Sequence, residues 1–469
     1  AGGNAVSTVV LWIFVPFGVS ILLALFHRFT SFTRWAAAGV ALALSVAAAL
    51  VNFGGLILVG GRAYEISTSF SVLGRQLVLG SSDRFFLILV YGLGAFWFLG
   101  APAAGTHRLF APLGLSIISI LVASLAVEPF LYAAPLVEIA VLVSIPMLVA
   151  VGKPAGQGVL RYLIFMTLGM PFMLLGGWAL NAIELDPASE SLLLEAMFLL
   201  GLGLAFWLAM FPFYTWVPLL TKESHPYIAG FLFSLLPTVV FFLMLNYLDT
   251  FAFLRNSATF FQGLRLAGTI MVATAGIWAA FQRDLTRLFG YIVIQETGYS
   301  LLAISLHSQT GLELFAAGLI PRLIALGLFA LALSVMQRHN VSMNFEEEKL
   351  AFQQTPIATF ASLVAIFSIS GLPLLAGFPV RQPLLEELGA DSVAAVTWAL
   401  IGSAGLMYGG LRYMAALFRQ APKSIRSEEG FYQIGLLSAG IVILVIAGVF
   451  PSPIITIAMN ILQAFANLF

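Results

Sequence analysis

Residues 131–148 read LYAAPLVEIAVLVSIPML, an apolar run holding one carboxylate, Glu138. Between Glu128 and Lys153 no other residue is charged. A run of about 18 or more such residues, wound as a helix, is long enough to cross the hydrocarbon core of a bilayer. An unpaired acid at that depth costs several kcal/mol, so it faces protein or water and marks a proton or ion route. The stretch therefore predicts a membrane-spanning helix with a purposeful acid in its middle.

The remainder of the chain agrees. Of 469 residues, 61% are hydrophobic and 9% charged, with 41 Phe and no Cys. Soluble chains carry about 25% charged residues. Soluble domains, nucleic-acid binding and disulfide scaffolds are excluded together, and without Cys the chain holds no iron–sulfur cluster or thiolate metal site. The reading is an all-α polytopic membrane protein, a single integral domain over 1–469. Windowed hydropathy gives about fourteen spans: 7–27, 35–59, 84–101, 109–126, 129–150, 159–181, 192–212, 225–248, 266–281, 287–306, 312–336, 354–378, 391–418 and 431–450. The first apolar stretch is too long for a signal-peptide core and reads as a retained span. Alternation of apolar and polar residues over 60–83 predicts a β-hairpin lying on one membrane face.

Six basic residues (Arg62, Arg75, Arg84, Arg255, Arg265 and Arg381) follow even-numbered spans, and Arg322 lies inside the eleventh span. The other fourteen of the 21 Lys and Arg follow odd-numbered spans. Positive charge collects on the cytoplasmic side, so both termini are expected on the opposite side.

Two stretches break the helical pattern: MFPFYTWVPLLTKESHPYIAG (210–230) and SGLPLLAGFPVRQPLLEE (370–387). Paired broken helices in the two halves of a membrane chain point to an ion path built on inverted repeats. The expected division is N-terminal helices over 1–126, a first inverted repeat over 127–248, a second over 266–385 and C-terminal helices over 386–469. Three ionisable residues sit near mid-span: Glu138, Glu296 and Arg322. A carboxylate lifted toward neutrality can load and release a proton, whereas Arg stays protonated and can only hold charge in place. His225, between Glu223 and Pro226 at a break, could shuttle protons, although a lone histidine is more often structural. No nucleotide loop, nucleophile–base arrangement or metal-ligand spacing is present in the sequence.

The motifs carry a resemblance. FPFYTWVPLLTKESHP (211–226) resembles FPFHTWLPDAHTEAPTP of the antiporter-like, proton-translocating subunits of complex I, multi-subunit cation/proton antiporters and membrane-bound hydrogenases. FQRDLTRLFGYIVIQETGY (281–299) is similar to that family's QTDLKRLLAYSSISHMGY, and SISGLPLLAGFPVRQPLLEE (368–387) to SLAGLPPLAGFWSKFLLLEA. VLRYLIFMTLG (159–169) matches ALKYFLLGS. The resemblance implies that Glu138 is the family's fifth-span carboxylate. The family's lysine positions fall on Trp207, Thr238, Thr286 and Leu326, its histidines on Glu296 and near Arg322, and the titratable residue of its last broken helix on Arg381. The acid is kept and the central lysines are lost. Either protons follow an altered route through Glu138, Glu223, His225, Glu296 and water, with Arg322 and Arg381 as fixed counter-charges, or this subunit no longer pumps.

The implied role is a non-catalytic membrane subunit, without a cofactor of its own, in a redox-linked complex I-type assembly of an energy-converting inner membrane, bacterial or organellar. Its implied partners are other, homologous antiporter-like membrane subunits and the lipid bilayer. A cation/proton antiporter, an inorganic-carbon uptake complex and a stand-alone secondary transporter are the alternatives.

Overall fold

The computed structural model describes residues 6–51, 53, 56–59, 62–72, 74–149, 152, 154–185, 190–345, 351–419, 427–465, 467 and 468. The helices in order are α1 (Val15–Leu25), α2 (Thr30–Leu50), α3 (Arg84–Ala104), α4 (Phe110–Ala126), α5 (Ala133–Leu148), α6 (Gln157–Leu185), α7 (Glu190–Trp207), α8 (Val217–Glu223), α9 (Pro226–Thr250), α10 (Ala252–Arg255), α11 (Ala258–Phe281), α12 (Leu285–Ser305), α13 (Gln309–Arg338), α14 (Ala351–Gln354), α15 (Pro356–Ser370), α16 (Phe378–Asp391), α17 (Val393–Arg419), α18 (Phe431–Val449) and α19 (Ser452–Leu462). Among the described residues, eight helices are long and apolar enough to cross a membrane, and six more are apolar with 10–17 residues.

Burial sorts these helices into a centre and a rim. α9 and α13 pack against each other in the middle, and α9 is enclosed along its whole apolar length. α2, α6, α17 and α18 turn Leu42, Leu50, Trp178, Trp398 and Ile446 outward. A helix that is apolar all round belongs to a buried or membrane setting, and large apolar side chains covering the outside select the membrane. Inside, Trp97 of α3, Phe110 of α4, and Tyr227 and Phe231 of α9 stack edge-on at 4.6–6.2 Å between ring centroids. The α11–α17 seam is closed by small residues: a methyl group on Gly276 would lie 1.9 Å from the Gly402 carbonyl oxygen. Such backbone contact is how membrane helices associate when lipid is as apolar as their side chains.

Both sequence-predicted breaks exist, with altered edges. α7 stops at Trp207, Ala209 takes a left-handed φ of +48°, and a 3₁₀ turn at Phe213–Trp216 leads into α8. α15 stops at Ser370, with Gly371 at φ +84° and Leu374 at φ +72° before α16 begins. Pro218, Pro226 and Pro379 do not make the breaks. They sit in the first turns of α8, α9 and α16, where their missing N–H costs nothing.

Several spans differ from the hydropathy reading: 192–212 ends at Trp207 and 266–281 begins at Ala258. The expected 35–59 span is the helix α2 followed by strand β2 (Leu56–Val59), and the expected 354–378 span ends at Ser370. The 60–83 hairpin is part of a larger ribbon. β1 (Val6–Ser7) and β2 flank β3 (Arg62–Ser67), while β4 (Ser69–Val72) pairs antiparallel with β5 (Arg75–Val78), which also pairs with β6 (Val127–Glu128). Gly60, Gly61 and Leu73 lie outside the described residues.

Candidate functional site

The second broken helix brings its charges together. Arg381, in the first turns of α16, donates through Nη2 to Glu296 Oε1 on α12, and its guanidinium lies over the Tyr299 ring, 3.8 Å from the centroid. Tyr299 in turn bonds Ser403 at 2.5 Å and the Ala399 carbonyl at 3.0 Å, which fixes the ring under the arginine. Arg322 of α13 donates through Nη1 to Ser300 Oγ at 3.3 Å. Glu296, Arg322 and Arg381 are 8%, 2% and 8% exposed. All three line one cavity of about 50 Å³, together with Tyr299, Ser300, Ser368 and Gly377. A water needs roughly 10–15 Å³ on this measure, so the chamber admits a few, and its polar lining would hold them. Glu296 and Arg381, singled out in different sequence motifs, thus meet across 85 residues of chain.

The first half is different. Trp207, onto which the sequence resemblance maps a lysine, is buried against α6 with its Nε1 donating to the Met166 carbonyl at 3.0 Å. Gly169 makes the seat: a Cβ there would lie 2.3 Å from the indole. Thr238 turns its hydroxyl back onto the Ser234 carbonyl at 2.6 Å, Leu326 is sealed in the core, and Thr286 bonds the helix-capping Asp284 at 2.5 Å. The cavity beside Trp207 is smaller, about 20 Å³, and mostly apolar, lined by Met166, Leu208, Leu236 and Val293, with Tyr162, Thr297 and the unpartnered Trp216 Nε1 its polar groups.

Glu138 stands apart from both cavities. It is half-buried on α5 and accepts from Thr167 Oγ1 of α6 at 2.7 Å, while its Oε2 has no partner among the described residues. Thr167 is exposed, as are Ile139, Leu142 and Leu168 around it, so this carboxylate belongs to the outer wall of the bundle.

Glu223 is exposed and accepts from the Gly158 amide at 2.6 Å, capping the N-terminus of α6, where a carboxylate meets the positive end of the helix dipole. His225 caps α9, its Nδ1 accepting from Tyr227 N at 3.3 Å. Burial pushes the His225 imidazole down to about 4, with the Ala104 backbone pulling the other way. It is therefore neutral near pH 7 in the folded chain. The unfolded imidazole titrates near about 6.5, so the stability it contributes is complete above that pH and drains as pH falls toward 4. His225→Asn, which keeps a capping side chain, should flatten the dependence of melting temperature on pH across that window. An unchanged slope would rule the imidazole out as its source.

Sequence reasoning missed Gly169, whose role shows only once Trp207 is seen against it, and Thr167, the partner of Glu138. The VLRYLIFMTLG motif contains both, so the signal was present without a contact to interpret it.

The chain is similar to known membrane proteins. Among curated relatives, NADH-quinone oxidoreductase subunit N of Ectopseudomonas mendocina is 26% identical over 329 residues, which is 64% of this chain and 65% of that protein. NADH-quinone oxidoreductase subunit 14 of Thermus thermophilus is 26% identical over 420 residues, covering 86% of this chain and 89% of the relative. In fold the chain is similar to a chain of the Mrp complex from Dietzia sp. DQ12-45-1b, with a TM-score of 0.79, 15% identity and coverage of 98% and 97%. Residues 163–407, which contain both broken helices, Trp207 and the Glu296–Arg381 pair, match the profile of the family described as NADH:quinone oxidoreductase/Mrp antiporter, TM. The chain belongs to the NADH:quinone oxidoreductase/Mrp antiporter transmembrane family.

Proposed function

We propose that the chain is an antiporter-like membrane subunit of a redox-linked, complex I-type assembly in which the first-half proton path is closed. Its two broken helices belong to inverted repeats over 127–248 and 266–385, and both termini face the non-cytoplasmic side of a bacterial or organellar inner membrane. The observation that carries this reading is the contrast between the two cavities. The second-half chamber is lined by an ion pair and a further arginine, while the first-half void is smaller, mostly apolar and bounded by Trp207, onto which the family resemblance maps a lysine.

Glu138 argues for partners. A carboxylate with one oxygen unpaired on an apolar outer wall is costly against lipid. A neighbouring membrane subunit packed over α5 and α6 would cover the exposed Thr167–Glu138 hydrogen bond and shield the carboxylate from lipid. Glu138 then exchanges protons at the subunit boundary, and the chain's interior route is confined to Glu296.

The test is purification of the tagged chain from its native membrane, followed by reconstitution. Flavin- or iron–sulfur-containing subunits should co-purify. Glu138→Gln should leave the assembly intact and lower proton translocation per electron pair transferred. Intact assembly with unchanged translocation would mean that the subunit is structural only. Co-purification with cation/proton antiporter subunits, and no redox partner, would transfer the chain to the Mrp-type branch, whose solved complex it resembles in fold.

A further inference from the structure

We propose that the cavity between α12, α13 and α16 is a binding site for a small monovalent inorganic anion, of which chloride is the probe. The first ground is charge. Two guanidiniums and one carboxylate line the chamber, leaving one surplus positive charge, and all three groups are at least nine-tenths buried. Buried charge without a counter-charge is expensive, and water can solvate it but cannot cancel it.

The second ground is the hydrogen-bond inventory. Glu296 Oε1 takes one proton of Arg381, from Nη2, and Ser300 Oγ takes one of Arg322, from Nη1. Arg322 Nε and Nη2 and Arg381 Nη1 have no partner among the described residues. Guanidinium is a donor-only fork suited to anions, and buried donors of this kind are normally satisfied. The third ground is backbone electrostatics. α16 begins at the cavity wall, with Gly377 and Val380 both lining it. A half-helix N-terminus inside a membrane bundle carries positive partial charge and favours an anion. The volume of about 50 Å³ suits an occupant of chloride size with a water or two beside it.

Glu296 is the one carboxylate lining the chamber, so it competes with the anion for the two arginines. That gives the proposal a sign that few alternatives share. The inference goes beyond the proposed function and does not depend on it, because the surplus charge is present whether or not the subunit pumps.

The experiment uses the full chain in a neutral detergent, with melting temperature measured in sodium chloride and in sodium gluconate at equal ionic strength. Chloride should stabilise saturably over gluconate. Arg322→Gln should abolish the difference, and Glu296→Gln should tighten the apparent chloride affinity by about tenfold or more, since a negative charge beside the site is removed. Equal melting in the two salts for both the wild-type chain and Glu296→Gln would overturn the proposal, leaving a water-filled chamber. Chloride stabilisation undiminished in Arg322→Gln would overturn it too, by placing the anion elsewhere. Should Arg322→Gln fail to fold, anomalous scattering from bromide-soaked wild-type crystals decides. A peak within hydrogen-bond reach of Arg322 or Arg381 supports the site, and bromide absent from the chamber refutes it.

Discussion

Glu296→Gln should lower the stability of the chain by about 3–5 kcal/mol, and Arg381→Met should lower it less. The asymmetry follows from who remains behind. Removing the carboxylate leaves Arg322 and Arg381 lining one cavity with no negative group in its lining. Removing Arg381 leaves Glu296 and Arg322, which attract each other across the same space. A lone pair of opposite charges with imperfect geometry costs less than two like charges confined together. The double variant, Glu296→Gln with Arg381→Met, restores the native surplus of one positive charge and should recover part of the loss seen in Glu296→Gln alone. Unfolding of all four proteins in a gluconate buffer, where no small anion can compensate, yields the coupling energy as a double-mutant cycle. Arg381→Met proving the more damaging single change would mean that the stacking on Tyr299, and not the charge balance of the cavity, dominates there.

How far the sequence carried this site can be argued from single residues. The membrane class and the helical bundle were legible because almost every span is apolar beyond what a soluble helix needs. Helix ends were legible where hydropathy and turn chemistry coincide, and failed where they part. The apolar run through Val51 and Leu56–Val59 continues past the end of α2, and nothing in its hydropathy distinguishes the strand that pairs with β3. The broken helices were visible through their prolines, although those prolines start the next helices and the left-handed residues Ala209, Gly371 and Leu374 make the turns. Glu296 could be singled out by depth in the membrane, and Arg381 by its place in the motif of the second broken helix. Their pairing could not, because it joins α12 to α16 across the bundle. The placement of Glu138 was hidden for a different reason: α5 is apolar on every side, so no periodicity marks which face meets protein and which meets the outside.

Trp207→Ala should cost about 3–5 kcal/mol, the second large effect, and the way in which it can be repaired tests whether the indole is a fitted plug. Trp207 is buried, its Nε1 donates to the Met166 carbonyl, and its ring fills the notch left by the missing side chain of Gly169. Truncation removes that volume in a wall already bordered by a small void, so the cavities merge and little nearby can collapse into them. Gly169→Ala alone should also be harmful, by about 1–3 kcal/mol, since the new methyl group would sit 2.3 Å from the indole and must push it off its seat. In the Trp207→Ala background the same Gly169→Ala change meets empty space. There it should be neutral or stabilising, because alanine is the better helix former by roughly 1 kcal/mol. Denaturation of the two singles and the double in neutral detergent gives the answer as a sign change. A Gly169→Ala penalty that persists without the indole would place the constraint in the α6 backbone and remove the argument that glycine is there to admit the tryptophan. The sign change, if found, makes closure of the first half a matched pair of substitutions on α6 and α7. A lysine placed at position 207 would then still face Leu208, Leu236 and Val293 across a small, mostly apolar void, and should not by itself reopen a route for protons.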